Sequence, residues 1–208
     1  MGQAPRAVQT IAVIGAGGAG RGIALAGAIA GYRTILEDLL PNALRRAESE
    51  FRTYLEAAGK QGKIPRDRAD TALSSLEFAD SVEDAARAAD LVIESVPEEM
   101  ESKIEIFTLL DKICRPGTIL VSSTRSFSIT EIARVTYRAR NCLGMRFADP
   151  VGEGTRLEVV RGLETDDDTL AAGVEVGRRM GKEVVMVKDP VGPGTASSDF
   201  RLMIAGLG

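Results

Sequence analysis

The sequence predicts an α/β protein: a doubly wound, mostly parallel sheet with an inserted helical hairpin. Three observations carry that prediction. Short apolar runs alternate with amphipathic helical stretches along the whole chain, and strands that alternate with helices pack as parallel βαβ units. The run Asp90-Leu91-Val92-Ile93-Glu94 is almost wholly apolar, as in strands covered on both faces. The first strand passes directly into a glycine-rich turn and a helix, which is the opening of a crossover unit that can hold an anion.

Taken in order, Thr10–Ile14 reads as a buried strand. The helix after it carries Ile23, Leu25, Ala26, Ile29 and Ala30 at helical spacing and stops at Gly31. Gly31 to Asp38 holds the second strand. Pro41 opens a long helix with Ala43, Leu44, Ala47, Phe51, Tyr54 and Leu55 on one face and Arg45, Arg46, Glu48, Glu50 and Arg52 on the other, ending at Gly59. Lys60 to Pro65 is a loop whose lysines read as a solvated basic turn. Arg66 to Leu73 is a second helix, so these two elements form the inserted hairpin, and Leu76–Ala79 is the third strand. Ser81 is an N-cap for a short helix. Asp90–Glu94 is the fourth strand, and the helix from Met100 to Ile113 places Met100, Ile104, Phe107, Leu110 and Ile113 on its buried side with Lys103 on the opposite face. Thr118–Ser122 is the fifth strand, and Ser128 and Glu131 stand in capping-box spacing. Strands at Cys142–Phe147, Arg156–Val160 and Glu183–Val187 follow, with a helix from Asp166 to Met180 whose acidic first turn complements its dipole.

Chemistry concentrates at the first turn. Gly15-Ala16-Gly17-Gly18-Ala19-Gly20 has the Gly-x-Gly-x-x-Gly spacing of a dinucleotide site. Gly15 makes the tight turn, Gly17 lets backbone approach a pyrophosphate, and Gly20 lets the helix lie close to the strand. Asp38 ends the second strand eighteen residues after Gly20, near the roughly 20 expected of a ribose-binding acid. A 2′-phosphate would meet like charge there, which selects NAD over NADP.

Composition removes other classes of function. The net charge is −4 with a pI near 5.1, and no basic run interleaves with aromatics, so nucleic acid is not an expected partner. The chain has no histidine, which removes the commonest general base and metal ligand; no metal site is expected. Cys114 and Cys142 lack metal or redox spacing and read as buried thiols of a reducing cytoplasm. No apolar run approaches the roughly 18 residues of a membrane span.

With these motifs placed, residues 9–200 resemble the NAD-binding domain of the 3-hydroxyacyl-CoA dehydrogenases, a Rossmann-type fold. The likeness rests on the glycine turn, on Leu36-Glu37-Asp38, on Leu91 to Glu98, on Leu120 to Ile132, on Gly144 to Val151 and on Leu157 to Gly162. It implies oxidation of the 3-hydroxyl of an acyl-CoA by hydride transfer to NAD. It also implies that Asp38 holds the adenosine ribose while Glu98 and Lys103 lie along the cofactor. The resemblance departs at the catalytic positions. The family's His-Phe-Phe-Asn-Pro motif reads Arg146-Phe147-Ala148-Asp149-Pro150 here, and Glu158 stands where a glutamate orients that histidine. Ser123-Thr124-Arg125 replaces an Asn-Thr-Ser sequence, and the late Pro-Gly lacks its asparagine. Arg125, Arg146 and Glu158 are therefore the candidate catalytic positions of a weakened or inactive enzyme. Two other readings stand beside it: an active dehydrogenase with Glu158 or Asp149 as base, and an anion-binding pocket built on the two arginines. A structural salt bridge from either arginine to Glu158 or Asp149 is the bland alternative.

The expected organisation is a dinucleotide-binding domain over residues 1–190, followed over 191–208 by the start of a linker helix to an absent C-terminal helical domain. The apolar face of Phe200, Leu202, Met203, Ile204 and Leu207 then invites a homo-oligomer.

Overall fold

The computed structural model describes residues 7–148 and 154–189. Among the described residues, eight strands are interspersed with helices. They run β1 (Thr10–Ile14), α1 (Gly18–Ile29), β2 (Arg33–Glu37), α2 (Pro41–Lys60), α3 (Arg66–Ser74), β3 (Leu76–Ala79), α4 (Val82–Ala86), β4 (Leu91–Glu94), α5 (Met100–Ile113), β5 (Ile119–Ser122) and α6 (Ile129–Ala133). After a single 3₁₀ turn come β6 (Cys142–Phe147), β7 (Arg156–Arg161), α7 (Asp167–Arg179) and β8 (Glu183–Lys188). Asp149 and the apolar segment from Phe200 lie outside the described residues.

One sheet holds all eight strands in the order β3-β2-β1-β4-β5-β6-β7-β8. Every pairing is parallel except β6 with β7. The chain leaves β1 toward one edge and returns at β4 to build toward the other, so the switch point lies between β1 and β4. Ligands of open α/β sheets bind at the carboxyl ends of the strands there. The register sets Glu37, Ile14, Glu94 and Ser122 in one row across that end.

Alternation within the strands divides the core. Ile11, Val13, Leu36, Ile93 and Val121 face one layer, with Ile23, Phe51 and Val176 of the helices. Ala12, Ile14, Ile35, Val92 and Leu120 face the other, with Val82, Phe107, Leu110 and Ile132. Each fully buried leucine, isoleucine or phenylalanine contributes roughly 1.5–3 kcal/mol, so the two layers fix the strand register. The predicted hairpin is present: α2 and α3 close on α1 through Leu55, Ala69, Ala72 and Ala28.

The short helices are held by side-chain caps. Ser81 accepts the Asp84 N–H at the start of α4. Ser128 accepts the Glu131 N–H at α6, but most of that helix's capping comes from farther away. Asp189 accepts the Ser128 hydroxyl at 2.6 Å and the Ile129 and Thr130 N–H groups at 3.1 and 2.8 Å.

Candidate functional site

A cleft of about 820 Å³ opens at the carboxyl ends of β1, β2, β4 and β5. Ile14 to Ala19 contribute its first wall, without Ala16. Glu37 to Leu40 form the second, and Ser95 to Glu98, Ser123 and Arg125 close the far side. The glycines have the roles their spacing predicts. Gly15 has φ +102°, and a Cβ on Gly20 would lie 1.8 Å from the Gly15 carbonyl oxygen, so helix and turn meet there without room for a side chain. A Cβ on Gly17 would meet nothing within 4 Å, because that backbone faces the open cleft. The first turn of α1 has no side-chain cap, which leaves its N–H groups for an anion.

Asp38 closes the turn from the neighbouring strand. Its carboxylate accepts the Ala16 N–H at 2.8 Å and the Leu40 N–H at 2.9 Å. It lines the cleft, so the acid is locked at the strand tip where a ribose hydroxyl can reach it. These donors and this acid fit an adenine dinucleotide.

Lys103 corrects the sequence reading. Helical periodicity set it on the solvent side of α5, yet it is 1% exposed. Its ammonium lies 2.9 Å from Glu94 Oε1 and 3.1 Å from Glu98 Oε2. Glu94 is fully buried and also accepts the Val96 N–H at 2.8 Å and the Ser122 hydroxyl at 2.6 Å. A buried carboxylate needs a counter-charge, and Lys103 supplies it by turning inward. Lys103 is absent from the cleft lining, and it reaches the cleft through Glu98, which is in that lining. Glu98 Oε1 accepts the Thr124 hydroxyl at 2.6 Å and the Arg125 and Ser126 N–H groups at 2.9 and 3.0 Å. Burial pushes the Glu98 carboxyl up, but those bonds and the Lys103 charge hold it below the usual carboxylate range. The network thus pins the loop after β5 to the loop after β4.

The candidate catalytic positions separate. Arg125 lines the cleft. Arg146 and Glu158 are cross-strand partners in the antiparallel β6·β7 pair, and neither is among the lining residues. The Arg146 Nε donates to the Thr124 carbonyl at 3.2 Å, and Glu158 is bridged at 3.2 Å by Arg156. Among the described residues, the salt bridge between Arg146 and Glu158 does not form. Lys60 pairs at 4.0 Å with Glu56 and is not among the cleft-lining residues.

Other cleft residues gave less signal in the sequence. Leu39 and Leu40 are 74% and 67% exposed at the rim, an apolar lip beside Val82; two leucines directly after a strand-ending acid were the available sign. Glu37 is 2% exposed and lines the cleft, and its Oε1 has no hydrogen-bond partner. Burial first, then the Asp38 charge, pushes its carboxyl up to about 7 against the opposing Gly15 N–H. Among the described residues no group of three or more acidic, cysteine or histidine side chains gathers to hold a metal. No described helix is long and apolar enough to cross a membrane.

Residues 10–190 match the family model described as 3-hydroxyacyl-CoA dehydrogenase, NAD binding domain. The chain belongs to this family. Its relatives include a Bacillus subtilis (strain 168) protein named "Probable 3-hydroxybutyryl-CoA dehydrogenase", 37% identical over 182 residues that cover 88% of this chain and 63% of the relative. A 3-hydroxybutyryl-CoA dehydrogenase of Bradyrhizobium diazoefficiens is 34% identical over 182 residues, covering 88% and 62%. The crystal structure of (S)-3-hydroxybutyryl-CoA dehydrogenase from Ralstonia eutropha superposes with a TM-score of 0.85 at 32% identity, covering 95% of this chain and 69% of that one. The chain therefore spans less than two thirds of the length of these two curated relatives. As a member of the 3-hydroxyacyl-CoA dehydrogenase family it carries an NAD-binding domain, and its cofactor is NAD.

Proposed function

We propose that this chain holds NAD(H) as a 3-hydroxyacyl-CoA dehydrogenase domain with a 3-hydroxyacyl-CoA as its substrate class, and that its own dehydrogenase activity is weak or absent. What supports the cofactor half is the meeting of the open Gly17 backbone with the locked Asp38 carboxylate across one cleft. The main-chain N–H groups of α1 bind the pyrophosphate, and Asp38 accepts from the adenosine ribose. When bound, the nicotinamide supplies the hydride acceptor. Glu98 holds the Thr124–Ser126 loop against that half of the cleft.

The proton step has no evident carrier. Arg146 stands where the family resemblance expects a histidine, and a guanidinium with pKa above about 12 accepts no proton at neutral pH. Losing a positioned general base costs about 10²- to 10⁴-fold in rate. Glu158 is engaged by Arg156, which argues against its serving as the replacement base. The two free thiols, pushed by burial up to about 11 and 12, are structural, as suits a cytoplasmic protein.

The test is NADH formation from 3-hydroxybutyryl-CoA and NAD. The expected rate is at least about 10²-fold below that of a family enzyme that keeps the histidine, and insensitive to Glu158→Gln. Turnover above background that disappears in Glu158→Gln would replace this reading with an active enzyme using that carboxylate as base.

A further inference from the structure

One row of the sheet carries two buried glutamates with different fates. Glu37 and Glu94 flank Ile14 at the carboxyl ends of β2, β1 and β4, two strand spacings or roughly 10 Å apart. Both continue the face set by Ile35, Ile14 and Val92. Glu94 receives an ammonium, a hydroxyl and an N–H. Among the described residues Glu37 receives no cation: the Gly15 N–H is the one group that favours its charged form, Oε1 is without a partner, and its charged neighbour is Asp38.

Among the described residues, the elements packed around Glu37 offer no counter-charge. On β1 its row neighbour is Ile14. On β3 its partner is Ala79, and the strand's one acid, Glu77, is bound to Arg33. On α4, Glu83 is paired with Arg87 and Asp84 with the Ser81 hydroxyl. On β4, Glu94 is already neutralised by Lys103. A carboxyl so placed stays neutral more cheaply than it ionises.

We propose that Glu37, in the lining of the cleft beside Asp38, couples dinucleotide binding to a proton: its neutral form permits the anionic cofactor, and its carboxylate opposes it. This rests on the NAD reading of the cleft. The bound pyrophosphate adds negative charge near Glu37, so binding favours the protonated acid, and by linkage deprotonation weakens binding. No histidine competes for this role. With the free carboxyl at about 7, a further rise on binding weakens NADH affinity several-fold between about pH 6 and about pH 8.5.

The experiment is a calorimetric titration of NADH at both pH values into the wild-type chain, Glu37→Gln and Glu37→Leu, with circular dichroism verifying the fold of each. The expected result is several-fold weakening with rising pH in the wild type and flat affinity in both variants, with Glu37→Gln close to the wild type at the lower pH. A flat wild type, or a Glu37→Gln variant that keeps the wild-type slope, overturns the coupling while leaving the cofactor site intact. Folded protein that binds no NADH in any form at either pH overturns the cofactor reading itself, and this inference with it.

Discussion

Replacing Lys103 with methionine removes an ammonium and keeps most of the stem that fills its place in α5. Glu94, fully buried, then keeps the Val96 N–H and the Ser122 hydroxyl but loses the one cation it has among the described residues, which sits 2.9 Å away. Two unit charges about 3 Å apart attract by roughly 5 kcal/mol at an effective dielectric of 20, and truncating one member of a buried pair costs about 3–5 kcal/mol. Globular domains have about 5–15 kcal/mol in hand, so the loss is a large share of the total. For a chain of this size it corresponds to a fall in Tm of about 6–20 °C. Urea and thermal unfolding followed by circular dichroism measure it directly. The companion Glu94→Gln/Lys103→Met removes both charges and should recover at least half of the loss, because the remaining amide is satisfied by the same N–H and hydroxyl. A single variant within about 1 kcal/mol of wild type, or a double variant no better than the single, would refute the counter-charge role assigned to Lys103.

Two further predictions concern the same end of the sheet. Gly20→Ala drives a Cβ to 1.8 Å from the Gly15 carbonyl and should cost at least about 2 kcal/mol of stability, whereas Gly17→Ala enters open space, should unfold within about 1 kcal/mol of wild type, and should weaken NADH binding about ten-fold or more by blocking the backbone approach; unfolding curves and titrations of the pair separate the two roles. Glu37→Gln should gain stability over wild type as pH rises, since a carboxyl raised from 4.5 to about 7 in the folded state stabilises below the lower value and loses that contribution as pH climbs through the upper one. The gap grows by about 2–3 kcal/mol between about pH 5 and about pH 8, and parallel unfolding curves at those pH values would contradict it.

Much of this molecule is written locally. The strands from Thr10 to Val187, the hairpin beginning at Pro41, and the caps at Ser81 and Ser128 each follow from a few adjacent residues whose shape or hydrogen bonding has one economical use. The glycine turn is equally legible, because Gly15 and Gly20 are demanded by backbone geometry within six positions. What escaped depends on partners distant in sequence. Lys103 looks solvated by helical period until Glu94, nine residues earlier on a strand, is known to be buried beneath it. The α6 cap from Asp189 spans about sixty residues and leaves no local trace. Glu37 stands next to the strand-ending Asp38 in sequence, yet strand alternation turns it into the sheet's covered face while Asp38 stays at the turn. The pairing of Arg146 was open for the same reason: the Thr124 carbonyl that takes it belongs to the loop after β5, which only the β5·β6 neighbour relation brings near.

The central claim is that an NAD site survives on a chain whose proton-transfer positions have changed. Its most direct test is an NADH titration of the wild-type chain and Asp38→Ala at about pH 6.5, by calorimetry or cofactor fluorescence. Saturable one-site binding, weakened about ten-fold or more by Asp38→Ala, is the predicted result. Folded wild-type protein that leaves NADH unbound, or an Asp38→Ala variant that binds it equally well, would contradict the account.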